Sequence, residues 1–246
     1  MARTSRRHSI SGFYHVILRG VNRQDIFHDD TDRKYFLKVM GKFKDETDTE
    51  IITYCLMTNH IHLLVKSEND LGTFVKKIAS SYVYYFNKKY CRIGHLFQDR
   101  FKSEPVDTES YLLTVARYIL KNPEKAHICP ADRYKWNSWR EISDMPSLCS
   151  VSILYEVAGN KDLLMEFLHN NADDECMEYD ESVTLSDAEA MDIIKKYTGP
   201  DVENFLYNCS LDKRDLLISS LKSEGLTGRQ ISRLTGIGRS IIQKIK

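Results

Sequence analysis

No stretch of this 246-residue sequence approaches the ~20 consecutive apolar residues that a membrane-crossing helix requires. The basic start, Met1-Ala2-Arg3-Thr4-Ser5-Arg6-Arg7-His8, is followed by no apolar core of the kind a secretory signal carries. The six cysteines (Cys55, Cys91, Cys129, Cys149, Cys176, Cys209) contain no Cys-x-x-Cys pair. That spacing argues against a zinc knuckle and for buried free thiols in a reducing cytosol. Net charge is missing too, because 35 Lys and Arg balance 35 Asp and Glu. With 42% hydrophobic and 28% charged residues, the expectation is a soluble globular protein of the cytoplasm, without a membrane or small-molecule partner.

The zero charge averages unequal parts. Residues 1–150 carry 24 basic against 18 acidic side chains, residues 151–211 carry 3 against 14, and residues 212–246 carry 8 against 3. Two basic blocks around an acidic one suggest two surfaces for a polyanion, held apart by a segment that avoids it.

Residues 13–19 are rich in aromatic and β-branched side chains and predict a first strand, ended by Gly20. Asp29 to Asp32 offer helix caps, and Tyr35, Phe36, Val39, Met40 and Phe43 recur at helical spacing. Two strands follow as a hairpin, about 51–57 and 60–66, then a long helix over about 70–90. Its Tyr82, Tyr84, Tyr85 and Tyr90, with Lys76, Lys77, Lys88 and Lys89, either stack bases and hold phosphates or form a core stripe and a solvated face; the spacing favours the second. A strand ending before Pro105 and a helix over about 107–121, with Asp107 as its cap, complete the order of an α+β, ferredoxin-like split βαβ antiparallel sheet, helices on one face and one helix added. Three regions are expected: an α+β domain over 1–145, an acidic, mostly helical connector over 146–211 (helices at Leu154–Leu168 and Ser186–Lys196), and a helix-turn-helix over 212–246. The last has a Thr227-capped helix, a Thr235-Gly236-Ile237-Gly238 turn and a basic final helix from Arg239.

The chemistry centres on residues 53–65. Alternation along a strand puts His60 and His62 on one face and Ile61 and Leu63 on the other. Two imidazoles on one face can grip a divalent cation, although taken alone such a pair is more often accidental. Tyr118 precedes Asn122 by four residues, which puts a phenol and a carboxamide on one helix face if the helix extends that far. A magnesium or manganese ion held by His60, His62 and Asn122, with Tyr118 at its rim, could make the phenol a productive nucleophile toward a phosphodiester. Without the histidines, Tyr118 reads as an ordinary packed helix tyrosine.

His60-Ile61-His62 resembles the His-hydrophobic-His signature of HUH endonucleases. As a set, Arg19-Gly20-Val21-Asn22-Arg23, Met57-Thr58-Asn59, Gly94 to Lys102 and Arg117-Tyr118-Ile119-Leu120-Lys121-Asn122-Pro123 resemble the REP-associated tyrosine transposases, over about residues 8–145. The resemblance implies the HUH nuclease fold, Tyr118 as nucleophile, His60, His62 and Asn122 as ligands of Mg²⁺ or Mn²⁺, and cleavage and rejoining of single-stranded, often hairpin, DNA through a 5′-phosphotyrosine. It makes Arg19, Asn22, Arg23, Gln98, Arg100 and Lys102 plausible DNA contacts. The acidic segment and basic tail depart from the minimal pattern. The tail resembles the helix-turn-helix of the replication initiator DnaA, with Arg229, Arg233, Arg239 and Lys244 available to duplex DNA. No flexible glycine precedes Tyr118 to permit helix exchange, which points toward a monomer.

Two other readings stay open. One is a non-catalytic, sequence-specific DNA-binding protein derived from a transposase. The other is a metallohydrolase with a water nucleophile, for which a third carboxylate or histidine at motif spacing is missing.

Overall fold

The computed structural model describes residues 7–68, 71–98, 100–144, 146–170, 172, 174–178 and 187–245. The chain forms two compact units, Met1–Tyr179 and Asp180–Lys246.

In the first unit the elements run β1 (Phe13–Arg19), α1 (Asp30–Glu46), β2 (Thr49–Leu56), β3 (His60–Ser67), α2 (Leu71–Lys89), β4 (Lys102–Pro105), α3 (Glu109–Leu120), α4 (Asn122–Lys125), α5 (Trp139–Ser143), α6 (Ser152–Ala158) and α7 (Lys161–His169). The sheet order is β2-β3-β1-β4 and every neighbouring pair is antiparallel. This is the split βαβ arrangement the sequence predicts. α1 starts at Asp29, whose side chain accepts from the Asp32 amide in a reciprocal capping box. α3 is capped by Thr108, not Asp107. The Asp107 carboxylate instead accepts from the Ser9 hydroxyl and the Ile10 amide (2.6 and 2.8 Å), tying the entry to β1 beside β4.

Register decides which face carries function. His15 pairs with Leu64, Ile17 with His62 and Arg19 with His60, so these six side chains share one face of the sheet. Val16, Leu18, Ile61 and Leu63 point the other way and are buried. α1 packs on α2 through Tyr35 stacked on Tyr85 at 3.8 Å and Phe36 edge-on to Tyr82. The tyrosines of α2 are therefore largely structural. Tyr82 is fully buried, Tyr85 and Tyr90 donate to Asp32, and Lys89 pairs with Asp29 and Asp32. Only Tyr84 of the four stands well exposed.

Trp136–Ser138 closes the free edge of β2: the Leu56 amide donates to the Trp136 carbonyl (2.8 Å) and the Ser138 amide to that of Tyr54 (3.0 Å). The first part of the expected connector also belongs to this unit. Val151, Leu154, Leu164 and Leu168 are buried in the same core as the sheet. The Leu154–Leu168 helix is broken in two, because Gly159 at φ +95° ends α6 and Asn160 caps α7. Charge bias misplaced this boundary, since charge describes what faces water while the apolar residues decide what packs. The thiols are free at all six cysteines, with Cys55 and Cys149 buried and Cys91 exposed.

The second unit contains α8 (Asp187–Thr198), α9 (Val202–Asn208), α10 (Leu211–Ser223), α11 (Gly228–Thr235) and α12 (Arg239–Lys244). Its separate core joins Ala190 and Ile194 of α8 to Leu217, Ile218 and Leu221 of α10, with Ile231, Ile237 and Ile242. The helices of 212–246 thus share their core with α8, which falls within the expected connector. Thr227 caps α11 reciprocally with Gln230, and Gly236 takes the left-handed conformation at its end. α12 stops at Lys244; Lys246 lies outside the described residues. No described helix is long and apolar enough to cross a membrane.

Candidate active site

The histidine face of the sheet lies under α3. The Tyr118 ring centroid is 5.7 Å from that of His62 and 5.8 Å from that of His15, and His60 and His62 are 5.0 Å apart. α3 ends at Leu120, so Asn122 opens α4 rather than lying on the same helix as Tyr118. The two residues meet regardless. Asn122 Nδ2 donates to the Tyr118 carbonyl (3.0 Å), and the Asn122 side chain hydrogen-bonds the His60 ring. His60, His62, Asn122 and Tyr118 therefore come together.

Protonation follows from the partners. Asn59 Nδ2 donates to the Arg23 carbonyl (3.3 Å), which turns Asn59 Oδ1 toward His60 at 2.7 Å from Nδ1. His60 must donate through Nδ1–H and keep the Nε2 lone pair. Burial, and secondarily the nearby Arg19 guanidinium, outweigh the Asn122 hydrogen bond and push its pKa down to about 4. Burial, with His15 and His60 alongside, holds His62 well below its ordinary range. Both rings are neutral near pH 7, as a metal ligand must be. Tyr118 moves the other way, raised by burial and then by the Glu178 carboxylate, which accepts its hydroxyl proton at 2.7 Å.

These shifts predict an acid-sensitive fold. An unfolded His60 titrates at 6.5 and the folded one at about 4, so the unfolded chain takes up its proton first. Stability of the metal-free protein is expected to fall as pH drops from 6.5 toward 4, and His60→Ala should flatten that slope. Urea midpoints across the range check it, and equal slopes for both proteins would contradict neutral burial.

Two loops border the histidines. The Gly20 amide donates to the Asn59 carbonyl (2.8 Å), the Val21 amide to Leu96 (2.9 Å) and the Gln98 amide to Arg19 (2.7 Å). Sequence blocks 19–23, 57–62 and 94–102 thus converge. Asn22 and Arg23 sit in the left-handed region at φ +50° and +58°, and both are exposed, as are Gln98 and Arg100. Gly20 is fixed by close approach, because a Cβ there would lie 2.2 Å from the Gln24 carbonyl oxygen and 2.9 Å from Ile26 Cγ2. Gly20→Ala should cost at least about 1–3 kcal/mol through this overlap. Urea unfolding measures the loss, and an unchanged midpoint would contradict the packing.

An extended segment, Asp174–Glu178, crosses α3. The Met177 amide donates to Glu104 Oε1 (3.1 Å), and Lys102 Nζ donates to the Glu178 carbonyl (3.4 Å). Asp174 forms two hydrogen bonds with the Arg117 guanidinium, at 2.8 and 2.7 Å. The Lys125 ammonium lies 4.2 Å from the Tyr118 ring centroid.

Residues 9–122 match the model of the IS200-like transposases. That segment is similar to the IS200-like transposases. The chain is also similar to a solved structure of a REP-associated tyrosine transposase bound to a REP hairpin. Identity there is 17% and the TM-score 0.51, with 58% of this chain and 86% of that one covered. It shares less with a putative transposase from Deinococcus radiodurans, at 15% identity and a TM-score of 0.35 over 44% and 88% of the two chains. No curated protein matches the chain.

Within the first unit, sequence reasoning missed His15, Glu104 and Glu178. The strand register was the signal for His15, since pairing β1 with β3 puts it two residues from His62 on the same face. Glu178 had no signal, because it reaches the site only through the packing of a distant segment. In the second unit Arg229, Arg239 and Lys244 are exposed, while Arg233 pairs with Asp187.

Proposed function

We propose that the first unit is a metal-dependent single-strand DNA endonuclease and strand-transferase that works through a covalent 5′-phosphotyrosine at Tyr118. The observation that carries the reading is the meeting of Tyr118 with His60, His62 and Asn122 within a segment that matches the IS200-like transposases. Among the described residues no group of three His, Cys, Asp or Glu side chains could hold a metal. The donor set here is two neutral imidazoles and a carboxamide, which suits Mn²⁺ or Mg²⁺. A divalent ion bound there would polarise the phosphodiester and stabilise the leaving oxygen.

Tyr118 Oη attacks the phosphorus while Glu178 Oε1 receives the phenol proton. The bond from phosphorus to the 3′ oxygen breaks, and that oxygen leaves as a 3′ hydroxyl after protonation from solvent. A 3′ hydroxyl attacking the phosphotyrosine reverses the sequence and rejoins a strand without ATP. Arg19, Asn22, Arg23, Gln98, Arg100 and Lys102 are assigned to the bound strand. The hairpin in the similar REP-associated enzyme supports hairpin DNA as substrate. The second unit, with Arg229, Arg233, Arg239 and Lys244, is assigned to duplex DNA as a helix-turn-helix, and the whole is expected to act as a monomer.

The test is incubation with single-stranded hairpin oligonucleotides in Mg²⁺, Mn²⁺ or EDTA. A denaturation-resistant protein–DNA adduct in either metal, absent in EDTA, is expected. Specific binding with no adduct in any metal would favour the non-catalytic alternative and overturn this reading.

A further inference from the structure

Behind the histidine pair lies a hydrogen-bonded chain that the reaction above does not use. His15 is fully buried, and its Nδ1 is 3.0 Å from Glu104 Oε1 while its Nε2 is 2.9 Å from His62 Nδ1. The His15 and His62 rings stack at 5.2 Å. Glu104 Oε1 also accepts from the Tyr111 hydroxyl (2.9 Å) and the Met177 amide (3.1 Å), a set of donors that suits an ionised carboxylate.

An ionised carboxylate only accepts, so His15 must donate through Nδ1–H. A neutral His15 then has only a lone pair at Nε2. The bond to His62 closes only if His62 carries its proton on Nδ1, which leaves His62 Nε2 bare. Each step fixes the next. With either ring in the other tautomer, two lone pairs or two protons would face each other inside the fold, at the cost of an unmet buried polar group.

We infer that His15 and Glu104 are positioning residues that lock His62 in the tautomer whose Nε2 can ligate a cation. The inference rests on the metal reading above and deepens it. Metal-bound histidines commonly donate their second nitrogen to a carboxylate or carbonyl, which orients the ring and raises its basicity. Here a second imidazole is interposed, carrying the influence of Glu104 across β1 from β4 to β3.

The experiment uses the full-length protein with ¹⁵N-labelled histidine, stripped of metal. Long-range proton–nitrogen correlation should show His62 and His15 both protonated at Nδ1 with bare Nε2. Mn²⁺ titration by electron paramagnetic resonance should then show His15→Phe binding about 10–100-fold more weakly than wild type. His15→Gln, whose amide can still accept from His62, should recover much of that loss. His62 protonated at Nε2 in the wild-type protein, or Mn²⁺ affinity unchanged in a folded His15→Phe variant, would overturn the inference. Should His15→Phe fail to fold, the wild-type tautomer decides alone. A wild-type protein with the expected tautomers that binds no Mn²⁺ would uphold the chain and refute the metal reading.

Discussion

Tyr118→Phe is expected to lower covalent adduct formation by at least ~10³-fold while leaving the fold in place. The phenol oxygen is the proposed nucleophile. The substitution keeps the ring that packs against His15 and His62. It removes one hydrogen bond, to Glu178, whose exposed carboxylate can turn to water. The stability loss should therefore stay near ~1 kcal/mol. Adduct yield on denaturing gels and thermal melting, taken together, separate lost chemistry from lost fold. A variant that melts like wild type and still forms an adduct would place the nucleophile elsewhere.

Asp174→Ala is expected to cost about 3–5 kcal/mol of folding stability. The Arg117 guanidinium and Asp174 carboxylate are 9% and 7% exposed, so their pairing is screened little by solvent. Arg117 also lies 4.0 Å over the Phe167 ring and donates to the Phe167 carbonyl (3.2 Å). Removing the carboxylate leaves a cation buried on α3 one residue before Tyr118. Replacing both partners, as in Arg117→Met with Asp174→Leu, should recover much of the loss, since no charge is then left uncompensated. Urea unfolding of the two variants checks this, and a loss below about 1 kcal/mol for Asp174→Ala would contradict a desolvated pair.

Much of the first unit was legible because its patterns are local. The six elements from Phe13 to Pro105 follow from alternation in the strands and apolar spacing in the helices, and His60 and His62 share a face by parity alone. Tyr118 and Asn122 meet as the spacing suggests, although Lys121 ends the helix between them and Asn122 opens a new turn. What stayed hidden depends on distant contacts. Glu104 joins His15 only because β4 pairs with β1, and Asp174–Glu178 reaches α3 only after α6 and α7 have packed. The acidic run looked like a spacer for the same reason, since nothing local tells a solvated acidic loop from one whose carboxylate pairs with a buried arginine.

The central claim is that the Tyr118 oxygen takes the DNA phosphate beside His60 and His62. Peptide mapping by mass spectrometry of the adduct formed with a hairpin oligonucleotide and Mn²⁺ tests it most directly. The account predicts a nucleotide phosphate on the peptide containing Tyr118, with a free 3′ hydroxyl on the released strand. A phosphate carried by another residue, or a cut strand with no protein attached, would contradict it.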